Sequence, residues 1–436
     1  MGPSAGGIGL TGGIVSTIVN AFRVPEIRKK LAFTASMLLL YRIGAYIPAP
    51  GINVDAVESI ADNFQGSNVL GFLNLFSGGS LQRFAIFALG IMPYITASII
   101  LQLMQVVVPS LEKLRKEGEV GQQKITQYTR YLTVVLAFFQ SIGYVFLFKS
   151  FAPSSENAIV DQFTFLPVFV IIASLTAGTV LVMWLGELIT QRGIGNGISL
   201  MIFASIVAGL PNGVQAWWTN PDPIFKVMMP FVILAVLAGI VFMQEGQRRI
   251  PVQYAKRVVG RRMSGGQSTY LPLRVNMAGV IPVIFAASLM AFPPTIGELI
   301  RSDWSRDLSN FFSPNGAAYL VGESILIIIF TYFYTAVTFN PVEQADNLKK
   351  YGGFIPGVRP GRPTAEFLDR ILARLTFPGA MYLAAVAALP TILINQTSAN
   401  FFFGGTSILI VVGVALDTMK QLEAQLMMRN YEGFLK

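Results

Sequence analysis

The stretch QRRIPVQYAKRVVGRRM (247–263) carries Arg248, Arg249, Lys256, Arg257, Arg261 and Arg262 and no acidic residue. Its chemistry is charge pairing, with phosphates or with carboxylates. A second pattern is chemically quiet. GIMPYI (90–95) and GVIPVI (279–284) both read Gly, apolar, apolar, Pro, apolar, Ile. Such residues suit a hydrophobic constriction that closes by excluding water, and suit solute coordination poorly. A third feature is an isolated acid: of 23 acidic residues, only Glu323 lies well inside an apolar stretch. Cys and His are both absent, which removes disulfides, Cys or His metal sites, thiolate nucleophiles and imidazole acid–base work. There is no P-loop, GxSxG or HExxH pattern. RGIGNGIS (192–199) has three glycines but no strand before it, so it reads as a tight turn rather than a dinucleotide loop. Neither an enzyme nor a cofactor is expected.

These residues sit in a very apolar chain. It has 436 residues, is 53% hydrophobic and only 13% charged, and carries a net charge of +9. Its mean hydropathy is +0.58. Soluble domains carry about 25% charged residues. A polytopic membrane protein follows. The first 20 residues lack a basic segment before an apolar core, so no cleavable leader is expected.

A bilayer core needs about 20 apolar residues per spanning helix. Ten spans are expected, near 30–48, 82–107, 129–148, 163–186, 198–216, 227–244, 272–297, 316–339, 376–396 and 401–418. Span five is the weakest, because its apolar run ends at GLPNG. Charge arbitrates. Lys and Arg crowd the N-tail, the loops after spans two, six and eight, and the C-tail, whereas the opposite loops hold only Lys149, Lys226, Arg301 and Arg306. Cytoplasmic loops collect basic residues, so both termini are placed in the cytoplasm. Dropping span five would destroy this bias. The loops at about 245–271 and 340–375 are expected to project into the cytoplasm. Their charge has two readings: topology alone, or a docking surface for an acidic or RNA-containing partner.

The two hexapeptides each lie in the second span of a five-span half, at 1–217 and 218–436. Five is odd, so the halves enter the membrane from opposite sides, as inverted repeats do. The hexapeptides are either interrupted helices lining a pathway or two ordinary proline kinks. Between spans one and two, the short apolar piece Val69 to Phe76 precedes Gly78 and Gly79. It is too short to cross a bilayer. It is either a half-helix dipping into a cavity and pivoting at the glycines, or an external surface loop.

Six long blocks carry a family resemblance: FSGGSLQRFAIFALGIMPYITASIILQL (76–103), WLGELITQRGIGNGIS (184–199), GQRRIPVQYAKR (246–257), LPLRVNMAGVIPVIFA (271–286), FNPVEQADNLKKYGGFIPGVRPG (339–361) and FGGTSILIVVGV (403–414). Over roughly residues 22–435 the chain resembles the SecY family, the channel subunits of the bacterial Sec translocase. The resemblance implies an all-α polytopic membrane protein, with ten transmembrane helices in two inverted five-helix halves around a central pore, and a re-entrant plug. The family's pore ring falls on Ile91, Ile95, Ile198, Ile202, Ile284 and Ile410. Its plug falls on about 67–76, including Ser67, Val69, Leu70, Gly71, Phe72, Leu73, Asn74, Leu75 and Phe76. Its lateral gate, span two against span seven, falls on Thr96, Gln102, Asn276 and Phe292. Gln102 and Asn276 either bond across that seam or are separate polar residues shielded from lipid.

The resemblance also implies partners. Arg248, Arg249, Lys256, Arg257 and Arg359 resemble the docking site for the ribosome, through rRNA phosphates, and for the motor ATPase SecA. SecE and SecG are the implied small membrane subunits. Secretory polypeptides are the cargo, and signal helices pass sideways into lipid. The implied location is the bacterial cytoplasmic membrane. The competing reading is a secondary transporter of a small solute with an inverted-repeat fold, for which Glu323 is the sole midplane candidate.

Overall fold

The computed structural model describes residues 22, 24–53, 56–57, 74, 76–151, 164–219, 223–254, 257–259, 262–264, 268–290, 311–312, 316–397 and 405–434. Its helices are α1 (Pro25–Gly44), α2 (Met92–Val107), α3 (Pro109–Lys116), α4 (Glu119–Phe151), α5 (Phe165–Arg192), α6 (Gly197–Thr219) and α7 (Pro223–Glu245). Then come α8 (Ile281–Met290), α9 (Ala317–Thr338), α10 (Pro341–Lys350), α11 (Arg362–Thr397) and α12 (Gly405–Phe434). Helices overlap every expected span. Among the described residues six are long and apolar enough to cross a membrane, or seven if the bent pair α2 and α3 counts as one span. Span five is one of the six, as α6.

The chain divides into two compact units, Met1–Pro211 with Val414–Lys436, and Asn212–Gly413. In the first unit α4 packs against α2, α3 and α5, and α1 packs against α5. Gly178 permits one close approach, since a side chain there would collide with the Ile86 carbonyl. The RGIGNG segment is the tight turn expected of it. Asn196 Oδ1 accepts from the Ile198 and Ser199 amides at 3.1 and 3.4 Å, capping α6. Thr34 Oγ1 on α1 accepts from the Ile194 amide at 3.1 Å, and Ile194 packs with Ile27 and Leu422.

Two corrections concern the second and seventh expected spans. Residues 82–91 form successive turns rather than helix, and α2 starts only at Met92. Residues 272–274 are strand and 275–280 bends and turns, with α8 starting at Ile281. The reason lies in the hexapeptides. Gly90 and Gly279 both take a left-handed backbone, φ +56° and +63°, which no α-helix passes through. Pro93 and Pro282 then occupy second helical positions, where a missing N–H costs nothing. They start helices rather than kinking them, which overturns the proline-kink alternative.

The second unit also corrects the all-α expectation. β1 (Gln247–Tyr254), β2 (Arg257–Val259), β3 (Arg262–Ser264), β4 (Ser268–Arg274) and β5 (Gly353–Phe354) are strands. One sheet runs β4-β1-β5, and β2 pairs with β3 as a separate hairpin. β1 alternates: Ile250 and Val252 are buried, while Arg249, Pro251 and Gln253 are exposed. They join Leu273, Phe339, Ile355, Leu368, Ile371 and Leu372 in one apolar cluster, which fixes the sheet against α11. Pro251 opposes Tyr270 and Pro272 opposes Arg249. Neither proline has an N–H, so neither donates to the ladder at these pairs. Within the membrane portion α9 packs on α8 and α11.

Candidate functional site

Five of the six expected ring residues are buried, and all six lie at a helix start or within its first two turns. In the first unit Ile91, Ile95 and Ile202 are buried and Ile198 is half-buried. A methyl group at Gly186 would lie in ordinary contact with Met201 Sδ, Ile198 Cγ1 and Ile91 Cδ1, at 3.4, 3.6 and 3.7 Å, so side chains from the starts of α2 and α6 converge on α5 there. In the second unit Ile284 and Ile410 are buried. A side chain at Gly413 would collide with Val280, so α12 passes close to the start of α8, one turn from each isoleucine.

The two hexapeptides match in hydrogen bonding as well as sequence. The Tyr94 and Ile95 amides both donate to the Ile91 carbonyl at 3.1 Å. The Val283 and Ile284 amides both donate to the Val280 carbonyl, at 3.1 and 3.2 Å. Each places its last isoleucine in the first turn of a helix that begins inside the chain's apolar region.

Of the gate residues, Thr96 is satisfied within α2, its Oγ1 donating to the Met92 carbonyl at 3.0 Å. Gln102 Nε2 donates to Ser98 Oγ at 3.2 Å, and Asn276 Nδ2 donates to the Gly279 carbonyl at 2.9 Å. The Gln102 Oε1 and Asn276 Oδ1 atoms are buried without a partner. An unpaired buried acceptor costs about 1–3 kcal/mol, so both are poised to take a donor. Phe292 lies outside the described residues.

Of the plug residues, Asn74 and Phe76 are described, and both are helical; Ser67, Val69, Leu70, Gly71, Phe72, Leu73 and Leu75 lie outside. Phe76 is fully buried. The segment that follows is held by bonds no motif announced. Asn74 Oδ1 accepts from the Gln82 amide at 3.0 Å, and its Nδ2 donates to Gln82 Oε1 at 3.2 Å. Arg42 Nη1 donates to the Gly78 carbonyl at 2.6 Å. Residues 47–49 pair with 84–86, through Ala49 N to Phe84 O and Ile86 N to Ile47 O. Phe84 itself takes φ +46°, an uncommon conformation for a bulky residue, and its ring sits edge-on to Phe148 at 4.2 Å.

At the sheet, Arg248, Arg249 and Arg359 are exposed. The Arg359 carbonyl accepts from Thr364 Oγ1 at 2.8 Å, tying its backbone to the start of α11. Arg257 lies in β2, and Lys256 lies outside the described residues. A further pair was not expected. Arg130 on α4 makes a bidentate bridge to Glu187 on α5, at 2.7 and 2.9 Å. Polar residues within the spans mostly bond the carbonyl four residues back, as Thr133, Thr179, Ser288, Thr331 and Thr335 do. These hydroxyls are satisfied within their own helices. Among the described residues no group of three His, Cys, Asp or Glu could hold a metal.

Long apolar helices, with two further ones starting two residues after a left-handed glycine, define a multi-pass membrane protein. A family model described as SecY matches residues 85–419. The protein translocase subunit SecY of Mycobacterium bovis is 49% identical over 97% of this chain and 100% of its own. A solved SecY channel, in which the plug domain stabilises the closed state and maintains a membrane seal, matches with TM-score 0.60 at 20% identity. That match covers 93% of this chain and 96% of the solved one. Sec61 in the canine ribosome–channel complex of the endoplasmic reticulum matches with TM-score 0.56 at 17% identity, over the same shares. The chain belongs to the SecY family. It is a protein-conducting channel subunit of a translocase and not an enzyme.

Proposed function

We propose that the chain passes unfolded secretory polypeptides through a pore between two inverted halves, 1–217 and 218–436, each contributing five spans. The carrying observation is the shared backbone of the two hexapeptides, a left-handed glycine followed two residues later by a helix start. Ile91, Ile95, Ile198, Ile202, Ile284 and Ile410 form an apolar gasket that closes around a chain and excludes water. The segment 67–76 plugs the resting pore. Span two against span seven, with Thr96, Gln102, Asn276 and Phe292, is the seam through which signal helices reach lipid. Hydrogen bonds across such a seam would be worth about 1 kcal/mol in a membrane, weak enough to open.

Energy comes from outside the chain. Arg248, Arg249, Lys256, Arg257 and Arg359 take rRNA phosphates or the acidic side chains of a SecA motor. The rigid seating of Arg248 and Arg249 on a packed strand supports this reading, as does the canine ribosome–channel complex. SecE and SecG are the small membrane partners, both termini face the cytoplasm, and the membrane is the bacterial cytoplasmic one.

The test uses the absence of native cysteine. Single cysteines are placed at Ile95, Ile284 and Ile410, with exposed Phe231 and Phe242 as controls. A secretory chain bearing one cysteine is stalled halfway across. Disulfides at the three ring positions and at neither control are expected. An engaged chain that crosslinks nowhere on the ring would remove the pore assignment.

A further inference from the structure

We propose that Arg42 and Tyr41, at the end of α1, are positioning residues that clamp the stalk of the plug and so hold the resting seal. The proposal rests on reading residues 67–76 as the plug. The sequence alone places a pivot at Gly78 and Gly79. The geometry makes those glycines a fixed corner. Their left-handed backbones, φ +67° and +84°, turn the chain sharply. The Gly79 amide donates to the Asn74 carbonyl at 2.9 Å, closing the corner on itself. The Gly78 carbonyl is taken by Arg42 Nη1 at 2.6 Å. A methyl group at Gly78 would sit only 3.3 Å from Ser205 Cα on α6, so the corner is wedged against that helix.

Tyr41 supplies the second grip. Its hydroxyl lies 2.6 Å from Ser205 Oγ and 3.4 Å from the Ser77 carbonyl, in a fully buried position. Ser205 Oγ donates to the Met201 carbonyl at 2.9 Å, so the phenol proton is left for Ser205 or Ser77. Tyr41 thus joins α1, α6 and the stalk through one atom. Arg42 is itself held: its Nη2 donates to the Tyr46 hydroxyl at 2.9 Å, and the Arg83 guanidinium lies 4.2 Å from the Tyr46 ring centre. A charged donor on a carbonyl is the stronger kind of hydrogen bond, and no carboxylate is bridged to Arg42 or Arg83 among the described residues. The cation is committed to the stalk.

The experiment uses the full chain in its translocase, reconstituted in vesicles. Ion efflux through the resting channel is read without cargo, and passage of a secretory chain with a disabled signal sequence is read separately. Both are normalised to inserted protein. Arg42→Gln is expected to raise resting efflux at least several-fold and to admit the disabled chain. Arg42→Lys, which keeps a charged donor, is expected to restore most of the seal. Tyr41→Phe keeps the ring stacked on Phe87 and removes only the hydroxyl, and is expected to leak less than Arg42→Gln but more than the parent. Deleting 67–73 separates the two ideas. If the deletion leaks while Arg42→Gln and Tyr41→Phe stay as tight as the parent, the plug stands and the clamp is wrong. If the deletion itself does not leak, the plug reading falls and the clamp with it.

Discussion

Glu323 is the residue on which the two functional readings divide. It is buried in α9 with Oε1 unpartnered, one turn from Tyr319, whose hydroxyl is also buried and unpartnered. A methyl group at the neighbouring Gly322 would lie 3.2 Å from Met290 Cε, so α9 approaches α8 closely there. A coupled transporter would need this acid. A channel subunit needs only its shape. Glu323→Gln keeps the shape, so secretory-chain transport should stay within about twofold, under ~0.5 kcal/mol of barrier. Transport rates in vesicles at matched insertion read this directly. A loss of tenfold or more would give Glu323 a role that a passive pore does not explain.

At the level of elements, the α4–α5 pair shows how helices are fixed where apolar packing carries no register. The Arg130 side chain is 43% exposed, but that of Glu187 only 11%. Removing the arginine leaves a nearly buried carboxylate. Arg130→Ala is therefore expected to destabilise by about 1–3 kcal/mol, below the 3–5 of a fully buried pair because the arginine is partly solvated. Replacing both partners by apolar residues of similar size should recover most of the loss. Thermal unfolding of the detergent-solubilised complex would compare the three variants. A double variant no better than Arg130→Ala would mean that the bridge itself, rather than the stranded charge, sets stability.

The sheet poses the same question at its own scale. Its strands were legible in Arg249, Ile250, Pro251, Val252 and Gln253, which alternate with period two. Six basic residues in a hydrophobic chain drew the reading towards charge and away from that alternation. The left-handed glycines of the hexapeptides were less legible. A Gly followed by Pro three residues later signals either a kink or a helix start, and only backbone angles distinguish them.

For the molecule as a whole, charge placed on a packed sheet predicts how it would meet an anionic partner. Phosphate contacts release counterions, so binding to ribosomes should weaken steeply with salt. Substituting Arg248 and Arg249 by Ala should lower affinity and flatten the slope of log K against log salt by about two. Titration of labelled translocase with ribosomes at several salt concentrations measures both. An unchanged slope would leave these arginines as topology signals alone. Arg359→Ala, on the turn before α11, should act on the same curve.

The sequence alone determined that this chain lives in a bilayer, where its apolar runs lie and which loops are basic. The reason is that a hydrocarbon slab demands about 20 apolar residues per crossing and charge stays in water. Repetition of one hexapeptide pattern, at 90–95 and 279–284, was likewise readable, because it needs only letters. Tertiary structure decided the rest. That α2 starts at Met92 rather than near residue 82 depends on a glycine's φ. That Arg130 finds Glu187, and that Tyr41, Arg42 and Ser205 meet the stalk at Ser77 and Gly78, depends on side chains 36 to 164 residues apart. Such pairs leave no periodic signal, since polar residues in lipid are placed by whichever partner packing brings within reach.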